Sequence, residues 1–174
     1  MQSNLTEQLG YKGSGVANGL PAYSANGIFT LGGVQATADV ANDAIFGYIM
    51  SSSASGDDGT FYMGIPTNYI IRGMIQFDGG IAQNDPAKPN KVINGAPLTL
   101  VYWGTVWLGA WTKTSVGAID PIIGAVVICN NTTGAIEFQP NGTSVAPAGW
   151  TIISANVVTV STDTNGALLF LYLV

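Results

Sequence analysis

Acid–base chemistry near neutral pH falls most often to histidine, and this chain has none. The groups left for chemistry are ten carboxylates, five basic side chains and a single cysteine, Cys129. A serine or cysteine nucleophile activated by a His base cannot be built from them. A glycosidase-like carboxylate pair is formally possible among Asp57, Asp58, Asp78, Asp85 and Asp120. All five fall in turn-like stretches, where an Asp side chain usually bonds its own backbone. Of the two glutamates, Glu7 sits in a segment without periodic pattern and Glu137 in an expected strand. Lys113 with Ser115 lacks the strained elbow of a working dyad. The oxygen-rich run of Ser51, Ser52, Ser53, Ser55, Asp57 and Asp58 has neither EF-hand spacing nor the repeats of calcium-binding solenoids. Gly13-Ser14-Gly15 and Gly32-Gly33 open no helical pattern that would cradle a phosphate. Cys129 excludes an intrachain disulfide and a Cys-based metal cluster, and within Val126-Val127-Ile128-Cys129 it reads as a small buried hydrophobe. No catalytic residue, metal or cofactor is expected, and the chain reads as a non-enzyme.

The composition speaks for assembly. Charged residues make up 9% of the chain, where soluble domains carry roughly a quarter, and 47% of the residues are hydrophobic. Much of the surface must then be Gly, Ser, Thr, Asn and apolar side chains, which suits permanent protein contact and a homo-oligomer. A net charge of -5 repels a phosphate backbone, so nucleic acid is not an expected partner. The uncharged stretch Val92–Thr112 is broken by Asn94, Gly95, Pro97, Gly104 and Gly109, so no membrane helix is expected. Met1–Glu7 has neither a basic nor an apolar export region, and production in the cytosol is expected. Four Trp and seven Tyr residues raise the alternative of a sugar- or peptide-binding platform. Trp103 and Trp107 fall mid-strand and read as core, whereas Trp111 and Trp150 fall at strand ends.

The elements that must position these residues are strands. Short β-branched and aromatic runs alternate with Gly/Asn/Asp/Pro clusters, which predicts an all-β fold, a compact antiparallel β-barrel or β-sandwich with an extended N-terminal arm. Residues 1–26 form that arm, anchored by Leu5, Leu9, Tyr11 and Leu20, and residues 27–174 form the domain. Strands are expected over Ile28–Leu31, Ala44–Met50, Thr60–Met63, Tyr69–Phe77, Leu98–Thr112, Ile122–Asn130, Ala135–Gln139, Trp150–Val160 and Ala167–Leu173. Val126–Phe138 is the clearest hairpin. On the long strand, Trp103, Trp107 and Trp111 share one face and Leu100, Tyr102, Val106, Leu108 and Ala110 the other, so both faces need cover. Leu5, Leu9, Tyr11, Leu20, Trp111 and Trp150 are the candidate assembly contacts.

With the strands placed, Ala44-Ile45-Phe46-Gly47-Tyr48-Ile49 before Ser51-Ser52-Ser53, then Gly64-Ile65-Pro66 and Arg72-Gly73, resemble the opening of the structural cement, or capsid decoration, proteins of tailed bacteriophages. Ile93-Asn94-Gly95-Ala96-Pro97 running into Leu98–Trp107 is similar to that family's central strand, and Gly124–Ile128, Thr133–Ile136 and Trp150–Ile152 to its closing part. The resemblance runs from about Ile28 to the C-terminus. It implies a non-enzymatic virion protein, made in the host bacterial cytoplasm, that binds the major capsid protein on the capsid exterior, often as a trimer where capsomers meet. A tail, baseplate or fibre module with glycan-binding aromatics, and a β-barrel carrier of an apolar ligand, are the alternative readings.

Overall fold

A computed structural model of the chain describes residues 20–21, 28–35, 44–54, 60–76, 91–92, 97–109, 111–161 and 166–173, and every regular element among them is a strand. The first six are β1 (Leu20–Pro21), β2 (Ile28–Gln35), β3 (Ala44–Ile45), β4 (Ile49–Ser53), β5 (Thr60–Met63) and β6 (Tyr69–Ile75). Then follow β7 (Lys91–Val92), β8 (Pro97–Leu108), β9 (Val126–Asn130), β10 (Ile136–Gln139), β11 (Trp150–Ser161) and β12 (Gly166–Tyr172). Ten strands form one sheet in the order β10-β9-β11-β12-β8-β2-β5-β4-β6, with β1 added on β8, while β3 pairs with β7 apart. The sheet is open at β10 and folds back at its other end, where β6 pairs with β8. The all-β expectation holds, with one change: β2 and β5 run parallel.

β8 is the spine because it has partners along both edges. One edge takes β2 over Pro97–Gly104 and then β1 at Val106 and Trp107. The other takes β6 at Leu100 and Val101 and then β12 over Trp103–Leu108. Opposite β2, Phe29 pairs with Trp103 and the next residue, Thr30, with Val101, so Tyr102 is the extra residue of a bulge. The bulge inverts the alternation of faces. Val101 lies in the same apolar cluster as Val106 and Leu108, although one is odd-numbered and two are even. Leu100 joins the smaller cluster of Phe46, Met50, Phe61 and Ile75. The expectation that Leu100 shares a face with Val106 and Leu108 fails for this reason.

Other corrections are local. Ala44–Met50 is not one strand, because Phe46 and Gly47 turn and bring the Gly47 amide to the Ile75 carbonyl at 2.9 Å. Ile122 and Ile123 stand before β9 in a turn closed by Ala125 N donating to Ile122 O. β8 stops at Leu108, so Trp111 is not part of its face. Trp103 and Trp107 are half-buried instead of core, and Trp103 meets Phe170 edge to face at 5.2 Å between ring centres. The β9–β10 hairpin forms as expected, with Cys129 opposite Ile136 and fully buried. Burial pushes the Cys129 thiol pKa up, as for a packing residue.

The two halves of the sheet are clipped together through glycine. Ile49 N donates to Gly134 O at 2.9 Å, Gly64 N to Ile49 O at 2.9 Å, and Ile65 N to Asn131 O at 2.8 Å. Gly64 and Gly134 have φ of +76° and +78°, and a Cβ on Gly134 would collide with the Ile49 carbonyl. Gly142, with φ +85°, has open space around it. Both substitutions to Ala carry the left-handed penalty of about 1–2 kcal/mol, but only Gly134→Ala also displaces backbone. Denaturant unfolding should show Gly134→Ala losing at least twice the stability that Gly142→Ala loses, and equal losses would mean that the clip yields without cost.

Candidate assembly surface

Among the described residues, the four most exposed large apolar side chains lie on loops, while Ile70, Ile152, Val158, Val160 and Tyr172 are exposed to a lesser degree on strands. Val116 is 86% exposed, Val145 79%, Ile123 72% and Ile122 53%. Three lie in the segment between β8 and β9, and Val145 lies in the loop between β10 and β11. The two loops touch: Gly124 faces the Asn141 side chain, and the Gln139 Nε2 donates to Ser115 Oγ at 3.0 Å and to Val116 O at 3.1 Å. β-Branched side chains have few rotamers to lose, so on a held loop they make a preformed apolar surface.

What holds the loop is a buried carboxylate. Glu137 on β10 is fully buried and accepts from Thr112 Oγ1 at 2.6 Å, Thr114 N at 2.6 Å, Thr114 Oγ1 at 2.8 Å and Ser115 N at 2.9 Å. The backbone adds Thr112 N to Ile136 O at 3.3 Å and Ile119 N to Phe138 O at 2.9 Å. Loop 112–119 thereby covers the open edge of β10. Burial alone would raise the Glu137 pKa, but the hydrogen bonds from Ser115 and Thr112 and from the amides of Thr114 and Ser115 outweigh it and hold the carboxyl at about 2. At the rim, Lys113 Nζ meets Asp120 Oδ2 at 2.7 Å, and Trp111 Nε1 donates to Asp120 Oδ1 at 3.3 Å. Both keep the Asp120 carboxyl below its ordinary value. The Lys113–Asp120 pair is exposed, so it orients the loop more than it stabilises it.

A chain in the solved capsid of Myoviridae phage XM1 has a similar fold. The two align with a TM-score of 0.55 over 92% of each chain, at 12% sequence identity. No family model matches this sequence, and no curated protein matches it. At that identity the likeness is one of fold.

Of the six candidate contacts expected from sequence, the structure describes Leu20, Trp111 and Trp150. Leu5, Leu9 and Tyr11 lie outside the described residues. Leu20 forms part of β1, opposite Trp107. Trp111 is half-buried against Phe138, ring centres 5.9 Å apart, so it supports the loop from beneath. Trp150 is half-buried at the start of β11 opposite Asn130. Val116, Ile123 and Val145 were not singled out by sequence. Val116 and Val145 carry a signal as lone β-branched residues within Ser115–Gly117 and Ser144–Ala146, in loops where polar residues are the norm, whereas Ile123 follows Ile122 and reads as the start of the expected strand Ile122–Asn130.

Because the folded pKa of Glu137 lies below its ordinary 4.5, its contribution is complete above about pH 5 and is lost as pH falls toward 2. About 2.5 pH units at ~1.4 kcal/mol each amounts to about 3.5 kcal/mol. Glu137→Gln should unfold at lower denaturant than wild type at pH 7, and the difference should shrink by most of that amount at pH 2.5. A gap that stays constant with pH would mean that the carboxylate charge does not hold the loop.

Proposed function

We propose that this chain is a non-enzymatic virion protein of a tailed bacteriophage, a cement or decoration protein that binds the major capsid protein on the outer surface of the shell as a homo-oligomer. The observation that carries the reading is the fold shared with a chain of a phage capsid over 92% of both lengths. The residues of this chain give it physical content. A rigid loop end presenting Val116, Ile122, Ile123 and Val145 supplies the apolar surface that a docking protein must bury, and the buried Glu137 network fixes its shape. Fully burying one such side chain contributes ~1.5–3 kcal/mol, modest for one copy, but copies linked in an oligomer and repeated over a shell gain avidity. The low charge of the chain fits the same role, since lysine and glutamate are costly to bury at a contact. Assembly on the virion exterior follows synthesis in the host cytoplasm.

Purified chain mixed with undecorated phage shells should appear by cryo-electron microscopy as regular density on the outer surface. Ile123→Asp with Val145→Asp should abolish that density while leaving the unfolding free energy within about 0.5 kcal/mol of wild type, as for exposed sites. Undiminished decoration by the double variant would remove the loop end as the contact. Absence of wild-type density from the shells would overturn the decoration role itself.

A further inference from the structure

The loop end leaves a second feature unused, a cleft of about 650 Å³ between β6 and β11, floored by Tyr102 and Leu173. It lies where β8 changes partners. β6 pairs with β8 only at Leu100 and Val101, β12 takes over at Trp103, and Leu173 N donates to Tyr102 O at 2.8 Å. The edge of β6 away from β4 therefore has no strand partner over Tyr69–Gly73 among the described residues. All three walls are irregular at this point. β8 bulges at Tyr102, and β6 bulges at Arg72, since Met50 pairs with Gly73 and Ser51 with Ile71. β11 spends four residues, Ile152 to Asn156, where β9 spends two. Bulges re-aim side chains, and three around one cleft give it a set shape.

The chemistry of the cleft is specific. Ile70 and Ile152, 43% and 38% exposed, face one another across it as two apolar walls. Arg72 is held by its Nε donating to Ser52 Oγ at 2.6 Å, and Ser52 is itself buried. No carboxylate pairs with Arg72 among the described residues, so the guanidinium end is open to an anion. The occupant that fits is an extended segment with one carboxylate between aliphatic side chains, since residues two apart in a strand share a face.

We propose that the Leu5–Leu9 segment of a second copy of this chain fills the cleft, with Glu7 on Arg72 and Leu5 and Leu9 against the isoleucines. Of the ten acidic residues, Glu7 alone has a large aliphatic residue two positions away on both sides. The position of β1 argues for a second copy over the same one. Leu20 lies opposite Trp107 and Pro21 opposite Val106, further along β8 than the cleft floor at Tyr102. β1 also occupies the edge of β8 opposite the cleft. An extended segment beside the unpaired edge of β6 gains backbone hydrogen bonds as well as side-chain pockets. The inference rests on the homo-oligomeric part of the proposed role and not on the shell contact.

Sedimentation of the full chain at micromolar concentration should give a multiple of 18.0 kDa. Arg72→Glu and Glu7→Arg should each weaken association at least tenfold, and the double exchange should restore it. Glu7→Cys with Arg72→Cys, oxidised, should give covalent dimers and larger species on a non-reducing gel, with Cys129 buried and silent. A cross-linked monomer would place the segment in its own cleft and overturn the second-copy assignment. Unchanged association in both single variants, with shell binding lost in Arg72→Glu, would give the cleft to a segment of the shell protein and also overturn it. A wild-type chain that stays monomeric yet decorates shells overturns this inference and leaves the decoration role intact.

Discussion

One residue too many in β8 organises this molecule. A regular strand would keep one face toward one core along its whole length, and the extra Tyr102 exchanges the faces instead. Leu100 points to the cluster under Phe46 and Met50, while Val101, Val106 and Leu108 all serve the larger cluster around Phe138 and Leu169. The same residue marks where β6 gives way to β12 along one edge. Without the bulge, the two halves of the sheet could not each bury their apolar side against a spine held in common. Gly73 allows the crossing to be tight: a Cβ there would come within 2.8 Å of the Val101 carbonyl.

This explains which parts of the fold were legible in the sequence. Strand content followed from composition and turn residues, and Thr60–Met63 and Trp150–Ser161 lie where alternation and flanking glycines place them. β11 even shows the half-buried rhythm in its burial, with Ile153, Ala155 and Val157 inside and Ile152, Ser154, Asn156 and Val158 outside. The faces of β8 were not legible, because a bulge adds one residue without leaving a compositional mark when both neighbours are apolar. The parallel pairing of β2 with β5 was equally hidden, since it depends on which distant strand closes the sheet. At the loop end, Glu137 read as one more residue of a hairpin strand. Its importance comes from four donors supplied by Thr112, Thr114 and Ser115, more than twenty residues away in the chain.

The loop end shows how a chain with few charges uses one of them. A buried carboxylate without partners would protonate or unfold its surroundings. Glu137 is instead saturated by amides and hydroxyls from a single short stretch, so its burial becomes a means of fixing that stretch. Trp111 packs on Phe138 beneath the loop, and Ile119 bridges to Phe138 by backbone. The polar network sets the path of the loop, and the apolar side chains it carries are then free to face outward.

Where the exposed apolar residues lie also decides what kind of association the molecule permits. Apolar side chains along an unpaired strand edge would invite open-ended sheet growth between copies. Here β11 and β12 are flanked on both sides, and β10 is covered by loop 112–119. Val116, Ile122, Ile123 and Val145 stand on turns, where a partner meets side chains held at a fixed curvature and few free backbone groups. Association through such a surface selects for shape, because only a partner whose hollow matches both loops can bury all four side chains at once. A chain with 47% hydrophobic residues in this way carries its most exposed apolar side chains on loops while β10, β11 and β12 stay covered, and at the open edge of β6 it is Arg72 that sets a charge beside Ile70 and Ile71.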